Sequence, residues 1–362
     1  MIRLLLLAFL PIAAALYYLA PVGPIWVFVT GAIAVAVLAD WIRQATEQVA
    51  VHVGSAIGGL LTISFGSIAE LLLAFFVLRE SGAGVVRAQI SGSILGTTLL
   101  GLGLAMVAGG LKRDRQTFKR ERAGLLASML ILVVIALLLP AVFDAVTAGH
   151  NADQNAVWIS DEHLSLAVSA VLLLLYVGNL VFTLVTHRDV FAQGDEGDGG
   201  GGSEASWSLA RAFAVLVAAT LAAALGAEIV SNALEATAKD LGLPILFLGL
   251  IPLALIGTSA DLFAAIAFAR QDRMDLVMSI CIGSAIQAAL VIAPVLVIAS
   301  ALIGPPMTLV FSDRLQLFAI AGAAFIVNSI AGDGETTWFE GMLLVGVYVL
   351  LAFAFFFTGG TT

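Results

Sequence analysis

Apolar runs of eighteen or more residues recur along the whole of this chain, and they restrict its fold more than any other feature. Such runs read as transmembrane α-helices, because a helix satisfies its own backbone polar groups in a medium that offers none. Charged residues make up 11% of the chain, against about 25% in an ordinary soluble domain. Eleven spans follow, at roughly 3–20, 22–39, 56–79, 85–109, 123–143, 163–186, 208–236, 243–270, 275–302, 314–331 and 338–358. Residues 40–54, with Asp40, Arg43, Glu47 and His52, read as an interfacial helix or a continuation of the second span. Residues 192–206, rich in Gly, Asp and Glu, read as a flexible acidic linker. The fold expected is an all-α polytopic membrane protein. It comprises an extra N-terminal helix at 1–21, a first five-helix repeat at 22–187, the linker at 188–207 and a second repeat at 208–362. The first span is read as retained rather than cleaved, since no clear small-x-small site precedes the next apolar run.

The basic residues orient the helices. The loop with Lys112, Arg113, Arg115, Lys119, Arg120 and Arg122 is assigned to the cytoplasm, which puts the N-terminus inside and the C-terminus outside. Twelve of the sixteen Lys and Arg residues then fall on the cytoplasmic side. That loop is a membrane-topology signal rather than a nucleic-acid surface, and no nucleic-acid partner is read. The one cysteine, Cys281, excludes a disulfide framework and a cysteine metal cluster. Membrane lipid is the partner the composition demands, and a prokaryotic cell membrane is the location expected. Nothing in the sequence fixes an oligomeric state.

Within this frame two stretches repeat one pattern. Gly66-Ser67-Ile68-Ala69-Glu70 is followed by Gly92-Ser93, and Gly257-Thr258-Ser259-Ala260-Asp261 by Gly283-Ser284, with the same twenty-six-residue interval between the glycines. Glu70 and Asp261 each precede an arginine, Arg79 or Arg270, by nine residues. The topology sends the two spans in opposite directions, so the repeats are inverted. Nine residues are ~13 Å of helix, which brings both carboxylates near the middle of a roughly 30 Å hydrocarbon core. A charge there costs roughly 2.5–3.5 kcal/mol on insertion scales and marks a functional site. Inverted repeats bind their ions at this depth, where the repeats meet.

The residues around each acid supply oxygen. Ser67 and Thr258 adjoin the acids, Ser93 and Thr97 come from the following span of one half, and Ser284 and Gln287 from that of the other. Gly66 and Gly257 are expected to loosen the helix just ahead of each acid. An oxygen-only set suits a hard cation such as Ca²⁺ and not Zn²⁺ or Cu⁺. Desolvation and mutual repulsion favour the protonated forms of two carboxylates in one dry site. A cation then displaces protons from the same oxygens, which is the minimum chemistry of an antiporter. Glu228 and Glu47 are candidate pathway residues, while His187 is read as a membrane-boundary residue. Asp333, Glu335 and Glu340 flank a helix start, where capping accounts for some of them. The four histidines lie at or near span ends, and no metalloprotease or nucleotide-binding motif occurs, so neither an intramembrane enzyme nor an ATP-driven pump is supported. No resident cofactor is expected; the ions are cargo.

At these residues the chain resembles the calcium/proton exchanger (CAX) family of the cation/calcium exchanger superfamily. The resemblance runs through residues 46–70 and 85–110, from Tyr176 to His187, through 248–294, and through Asp333-Gly334 and Trp338-Phe339-Glu340-Gly341. It implies eleven helices, an acidic cytoplasmic linker, inverted repeats, and cation export coupled to proton entry. It also implies that Glu70 and Asp261 are the paired ion-binding acids. The chain departs from the family pattern in one direction. Ser67, Thr258, Thr62, Thr97 and Thr337 stand where the family has Asn, Asp261 replaces Glu, and Leu262 stands where many members have His. Ca²⁺/H⁺ exchange is the leading expectation. Na⁺/Ca²⁺ exchange, exchange of Na⁺ or K⁺ for H⁺, Mn²⁺ or Mg²⁺ as cargo, and a non-transporting membrane protein stay open.

Overall fold

A computed structural model of the chain describes residues 5–19, 22–53, 58, 61, 64–111, 113–147, 154–183, 207–303, 306–311 and 313–359. The expectations at Thr62, at His187 and along all but the last residue of the 188–207 linker lie outside these residues. The described chain is almost wholly helical. Its helices are α1 (Phe9–Tyr18), α2 (Pro24–Val53), α3 (Ile68–Ser81), α4 (Ala83–Gly110), α5 (Arg120–Thr147), α6 (Gln154–Val181), α7 (Leu209–Leu241), α8 (Ile245–Arg270), α9 (Met274–Ile303), α10 (Arg314–Asp333) and α11 (Trp338–Gly359). Among the described residues, nine of these are long and apolar enough to cross a membrane. They follow the predicted spans closely, because long apolar runs fix where a helix can sit in lipid.

The second span is the main exception. It continues to Val53 and so takes in the charged segment 40–54. The charges are tolerated because they satisfy one another along the helix. Arg43 Nη2 donates to Asp40 Oδ1 at 3.1 Å, Arg43 Nη1 pairs with Glu47, and Gln44 Nε2 donates to Asp40 Oδ2 at 2.6 Å.

Contacts between helices reproduce an inverted repeat. Helix α2 packs along α7, the leading helix of the second half. The pairing of α2 with α8 mirrors that of α7 with α3, and α4 against α11 mirrors α9 against α6. Two clusters of loop contacts define the ends. At one end Arg113 Nε lies 3.3 Å from Asp272 Oδ1, Arg115 Nη1 2.7 Å from Glu335 Oε1, and the Lys119 N–H donates to Asp275 Oδ1 at 2.7 Å. A two-stranded antiparallel pair, β1 (Gln116–Thr117) with β2 (Glu335–Thr336), joins the same loops. At the other end Arg87 Nη1 donates to the Thr308 carbonyl at 3.1 Å, and the Leu309 N–H to Ser165 Oγ at 2.9 Å. Helix α8 finishes in the first cluster, whereas α3 turns into α4 at the second. The helices bearing Asp261 and Glu70 therefore run in opposite directions.

Among the described residues, π-helical turns interrupt α4 at Gly96–Gly101, α8 at Gly249–Leu253 and α9 at Ala288–Ile292. The turns in α4 and α9 occupy matching places, a few residues beyond Gly92-Ser93 and Gly283-Ser284. A residue added to a helical turn breaks the regular hydrogen-bond ladder, and such turns concentrate at functional sites. The turn in α8 has a local cause, since Pro252 has no N–H to offer the preceding turn. Helix α4 crosses α8 at backbone contact. A Cβ placed on Gly92 would lie 1.8 Å from the Leu250 carbonyl oxygen, so no other residue fits there.

Glu340 behaves as a capping residue. Its Oε2 accepts from the Thr337 N–H at 2.7 Å, and its own N–H donates back to Thr337 Oγ1 at 3.4 Å. This reciprocal pair starts α11 and explains why Thr337 and Glu340 sit three apart.

Candidate cation site

The helical path breaks at Ser67, whose backbone (φ −101°, ψ 12°) leaves the helical region before α3 begins. Glu70 lies in the first turn of α3, where the N-terminal end of a helix favours negative charge. Its side chain is buried, 3% exposed. Two features crowd it. Gly257 of α8 lies directly against it, so that a Cβ there would fall 2.9 Å from Glu70 Cγ and 3.3 Å from its Cβ. On the other side stands Ser93 of α4, whose buried Oγ faces the Glu70 carboxylate.

Asp261 sits two turns down α8 from the π-helical turn, half-buried. Ser284 Oγ of α9 donates to its Oδ2 at 2.7 Å. Gly257, one helical turn before Asp261 on α8, lies against Glu70, which brings the two acids to one crossing of α3 and α8. Ser67 Oγ donates to Gln287 Oε1 at 2.5 Å and so ties the break before Glu70 to the helix that supports Asp261. The predicted set of Glu70, Asp261, Ser93, Ser284, Ser67 and Gln287 thus converges from four helix segments of both halves. Among the described residues no group of three or more His, Cys, Asp or Glu side chains could hold a metal. The site has two carboxylates with neutral oxygens around them.

Thr97 and Thr258 stand in the same layer with a difference. Thr97 Oγ1 donates to the Ser93 carbonyl at 2.8 Å and Thr258 Oγ1 to the Ala254 carbonyl at 2.9 Å. Their hydroxyl protons are spent within their own helices, and only lone pairs remain for a ligand.

The paired glycines are not equivalent. Gly257 does not loosen α8, which is regularly helical from Ala254 to Arg270; the irregularity falls at Gly249–Leu253, around Pro252. Gly257 instead makes room for Glu70. Gly66 does adjoin a break, at Ser67, and no described atom comes within 4 Å of where its Cβ would be.

Of the two candidate pathway residues, Glu47 pairs with Arg43, and Glu228 is half-buried on α7, with its backbone carbonyl accepting from Asn232 Nδ2 at 2.9 Å. Among the described residues no hydrogen bond or ion pair joins the Glu228 side chain to the acid pair. Sequence reasoning left Arg43 in an interfacial segment, whereas it lies within α2, a helix packed against the helix that bears Asp261. Its signal was present, a cation within an apolar stretch. The charges on either side of it made the segment read as interfacial.

Two cavities reach the site. One of about 570 Å³ lies between α5, α6 and α9, from Arg122 past Met129, Tyr176 and Asn179 to Gly283 and Gln287. A smaller one of about 20 Å³ lies beside Ser64 and Ser67 and shares Gln287 with the first.

Known proteins resemble this chain over nearly its whole length. The chain is 36% identical to the Ca²⁺/H⁺ antiporter of Aphanothece halophytica, covering 97% of this chain and 95% of that one. It is 36% identical to the Ca²⁺/H⁺ antiporter ChaA of Bacillus subtilis over 91% of each chain. Among solved structures it matches native YfkE with a TM-score of 0.82 at 31% identity, over 99% of this chain and 100% of that one. The H⁺/Ca²⁺ exchanger CAX shares the fold, with a TM-score of 0.68 at 17% identity, over 99% of this chain and 92% of that one. Residues 23–185 and 211–357 match the family described as sodium/calcium exchanger protein. With both halves matched by one family model and relatives matched over nearly its whole length, the chain belongs to the sodium/calcium exchanger protein family.

Proposed function

We propose that this protein is a secondary antiporter that exports Ca²⁺ in exchange for H⁺. The observation that carries the reading is the convergence of Glu70 and Asp261, from oppositely directed helices, on one site walled by neutral oxygens. The names of the most similar relatives support the ion pair chosen.

The chemistry follows from competition. When no cation is held, each carboxylate gains by binding a proton, because an unpaired charge in a dry site is expensive. A divalent cation displaces those protons, up to two per ion, and is then held by the two ionised carboxylates and the oxygens of Ser93, Ser284, Ser67 and Gln287. Ca²⁺ takes six to eight oxygens at about 2.3–2.6 Å. The two carboxylates offer up to four, and the side chains named bring the set within that range. Glu70 and Asp261 serve as the shared proton and cation ligands. The 570 Å³ cavity leads from the basic end of α5 to Gln287 and serves as the route from the cytoplasm. The repeats at 22–187 and 208–362 rock against each other about the acid pair, with the N-terminus inside the cell and the C-terminus outside.

Proteoliposomes loaded with ⁴⁵Ca²⁺-free buffer test the reading. Uptake of external ⁴⁵Ca²⁺ driven by an imposed pH gradient, and insensitive to a Na⁺ gradient, is expected. Uptake that follows the Na⁺ gradient and ignores pH would replace H⁺ by Na⁺ as the counter-ion. No uptake under either gradient would refute Ca²⁺ as cargo.

A further inference from the structure

Gln89 of α4 is a buried side chain that neither the packing nor the exchange chemistry above uses. It is 1% exposed, and neither its amide nitrogen nor its amide oxygen has a hydrogen-bond partner among the described residues. Leaving a buried polar group unbonded costs about 1–3 kcal/mol, and native interiors seldom carry one without a use for it. The polar residues two positions to either side of it are satisfied. Arg87 Nη1 donates to the Thr308 carbonyl at 3.1 Å, while Ser91 Oγ lies 2.9 Å from the Arg87 carbonyl and 3.0 Å from Gln316 Oε1.

The helix register places Gln89 next to the cation site. Gln89 and Ser93 are four residues apart on α4, so they share a face and their Cβ atoms stand about 5–6 Å apart. Ser93 is one of the oxygens assigned above to the cation. The adjoining face of α4 is fixed against α8 by two glycines. A Cβ at Gly92 would lie 2.7 Å from Ala254 Cβ, and one at Gly96 3.9 Å from Thr258 Oγ1. Thr258 follows Gly257, the residue that lies against Glu70. Helix α4 starts at the end marked by Arg87 and Thr308, opposite the basic loops, so Gln89 lies one turn outward of Ser93.

Two simpler roles explain less. An amide that ties helices together must be bonded across them, and Gln89 is bonded to none among the described residues. An amide that only fills space is a poor filler, because an apolar side chain of the same shape would fill it without the cost of unbonded polar atoms.

We propose that Gln89 is a further cation ligand, whose amide oxygen meets the transported cation on the outer side of the acid pair. This rests on the antiporter reading of that pair. Amide carbonyl oxygens are among the ligands that Ca²⁺ accepts. An ion that leaves two carboxylates for the outside loses charged ligands before water has replaced them, and one that arrives from outside sheds water before it reaches them. A neutral oxygen one turn beyond Ser93 fills the gap in either direction. Because it carries no charge, it does not hold the ion there.

Uptake of ⁴⁵Ca²⁺ driven by a pH gradient, in right-side-out and in everted membrane vesicles, tests this beside melting curves of the purified proteins. Gln89→Met keeps the length of the side chain and removes both polar atoms. It is expected to raise half-saturating Ca²⁺ about five-fold in right-side-out vesicles, where the ion enters from the outer face, the effect of losing one neutral polar contact. In everted vesicles the change should stay under about two-fold. The melting temperature should hold or rise, because unbonded buried atoms are removed. Gln89→Glu puts a charged ligand in the same place and should lower outer-face half-saturation while slowing maximal uptake. The proposal is overturned if Gln89→Met leaves outer-face half-saturation within two-fold of the parent, or shifts both faces equally. It is also overturned if Gln89→Met fails to fold or melts well below the parent, since the amide is then structural, or if Gln89→Glu raises outer-face half-saturation. Any of these results beside normal uptake by the parent refutes the role of Gln89 alone. Absence of uptake by the parent under a pH gradient refutes the antiporter reading and the added ligand with it.

Discussion

Gly66 and Gly257 occupy the same place in the repeated sequence, yet substituting alanine at each should have opposite consequences. At Gly257 the new Cβ would fall 2.9 Å from Glu70 Cγ and 3.6 Å from its Cα. Carbon atoms prefer about 3.5–4.0 Å, so the shortfall at Cγ is about 0.6 Å. The clash is with the root of the Glu70 side chain rather than its tip, so turning the carboxylate cannot relieve it, and α3 itself must shift. Overpacking of this kind costs about 1–3 kcal/mol. Replacing a mid-helix glycine by alanine returns about 1 kcal/mol of helix propensity, for a net loss of about 0–2 kcal/mol. The protein should therefore still fold, and its thermal midpoint should fall by only a few degrees. Transport should suffer more. Displacing one of two charged ligands by half an ångström disrupts a site whose chemistry depends on placement, and a loss of at least about ten-fold in the ratio of maximal rate to half-saturating Ca²⁺ is expected. At Gly66 no described atom meets the added methyl, so Gly66→Ala should keep that ratio within about two-fold. Vesicle ⁴⁵Ca²⁺ uptake, beside a melting curve of each purified variant, reads both quantities. Equal impairment of the two variants, or a Gly257→Ala protein that transports like the parent, would refute the claim that Gly257 seats Glu70.

Other substitutions probe separate parts of the account. Gly92→Ala drives a methyl into the Leu250 carbonyl, 1.8 Å away, and should lower the yield of folded protein far more than Gly257→Ala does, as size-exclusion profiles would reveal. Ser284→Ala removes a hydrogen bond to the Asp261 carboxylate, a contact typically worth about 1.5–3 kcal/mol, and should raise half-saturating Ca²⁺ about ten-fold with little change in melting temperature. Arg115→Ala breaks an exposed pair with Glu335 and should change stability by less than about 1 kcal/mol. In the parent, half-saturating Ca²⁺ should fall as pH rises, by up to about ten-fold per pH unit for each proton displaced, because cation binding to protonated ligands releases their protons. A half-saturation independent of pH would contradict shared proton and cation ligands.

The membrane helices were legible in the sequence because length and apolarity are enough to place a helix in lipid. That simplicity is also why the continuation of α2 to Val53 stayed ambiguous. Asp40, Arg43 and Glu47 raise the apparent polarity of a segment whose charges in fact pair along one helix face. The acid pair and its companions Ser93 and Ser284 were legible through the repeat, which is a statement about position that survives folding. What the repeat hid is the asymmetry between halves. Gly257 contacts Glu70 while no described atom contacts a Cβ at Gly66, and Ser67 bonds to Gln287 while Thr258 bonds to its own helix. Two copies of a motif meeting in one site cannot both take the same neighbours when one carboxylate is a methylene shorter. The π-helical turns left no mark on hydropathy, since widening a turn changes no residue type. Only Pro252 hinted at one of them. The β1–β2 pair escaped because strands of two residues carry no periodicity.

Proton release on Ca²⁺ binding tests the shared site most directly. Purified protein in weakly buffered detergent solution is titrated with Ca²⁺ while pH and bound ⁴⁵Ca²⁺ are followed together. A single shared site predicts that binding liberates protons in the parent, and that Glu70→Gln alone and Asp261→Asn alone each abolish both binding and release. If either variant keeps half the bound Ca²⁺, or if the parent binds Ca²⁺ without releasing a proton, the two carboxylates act separately and the account fails.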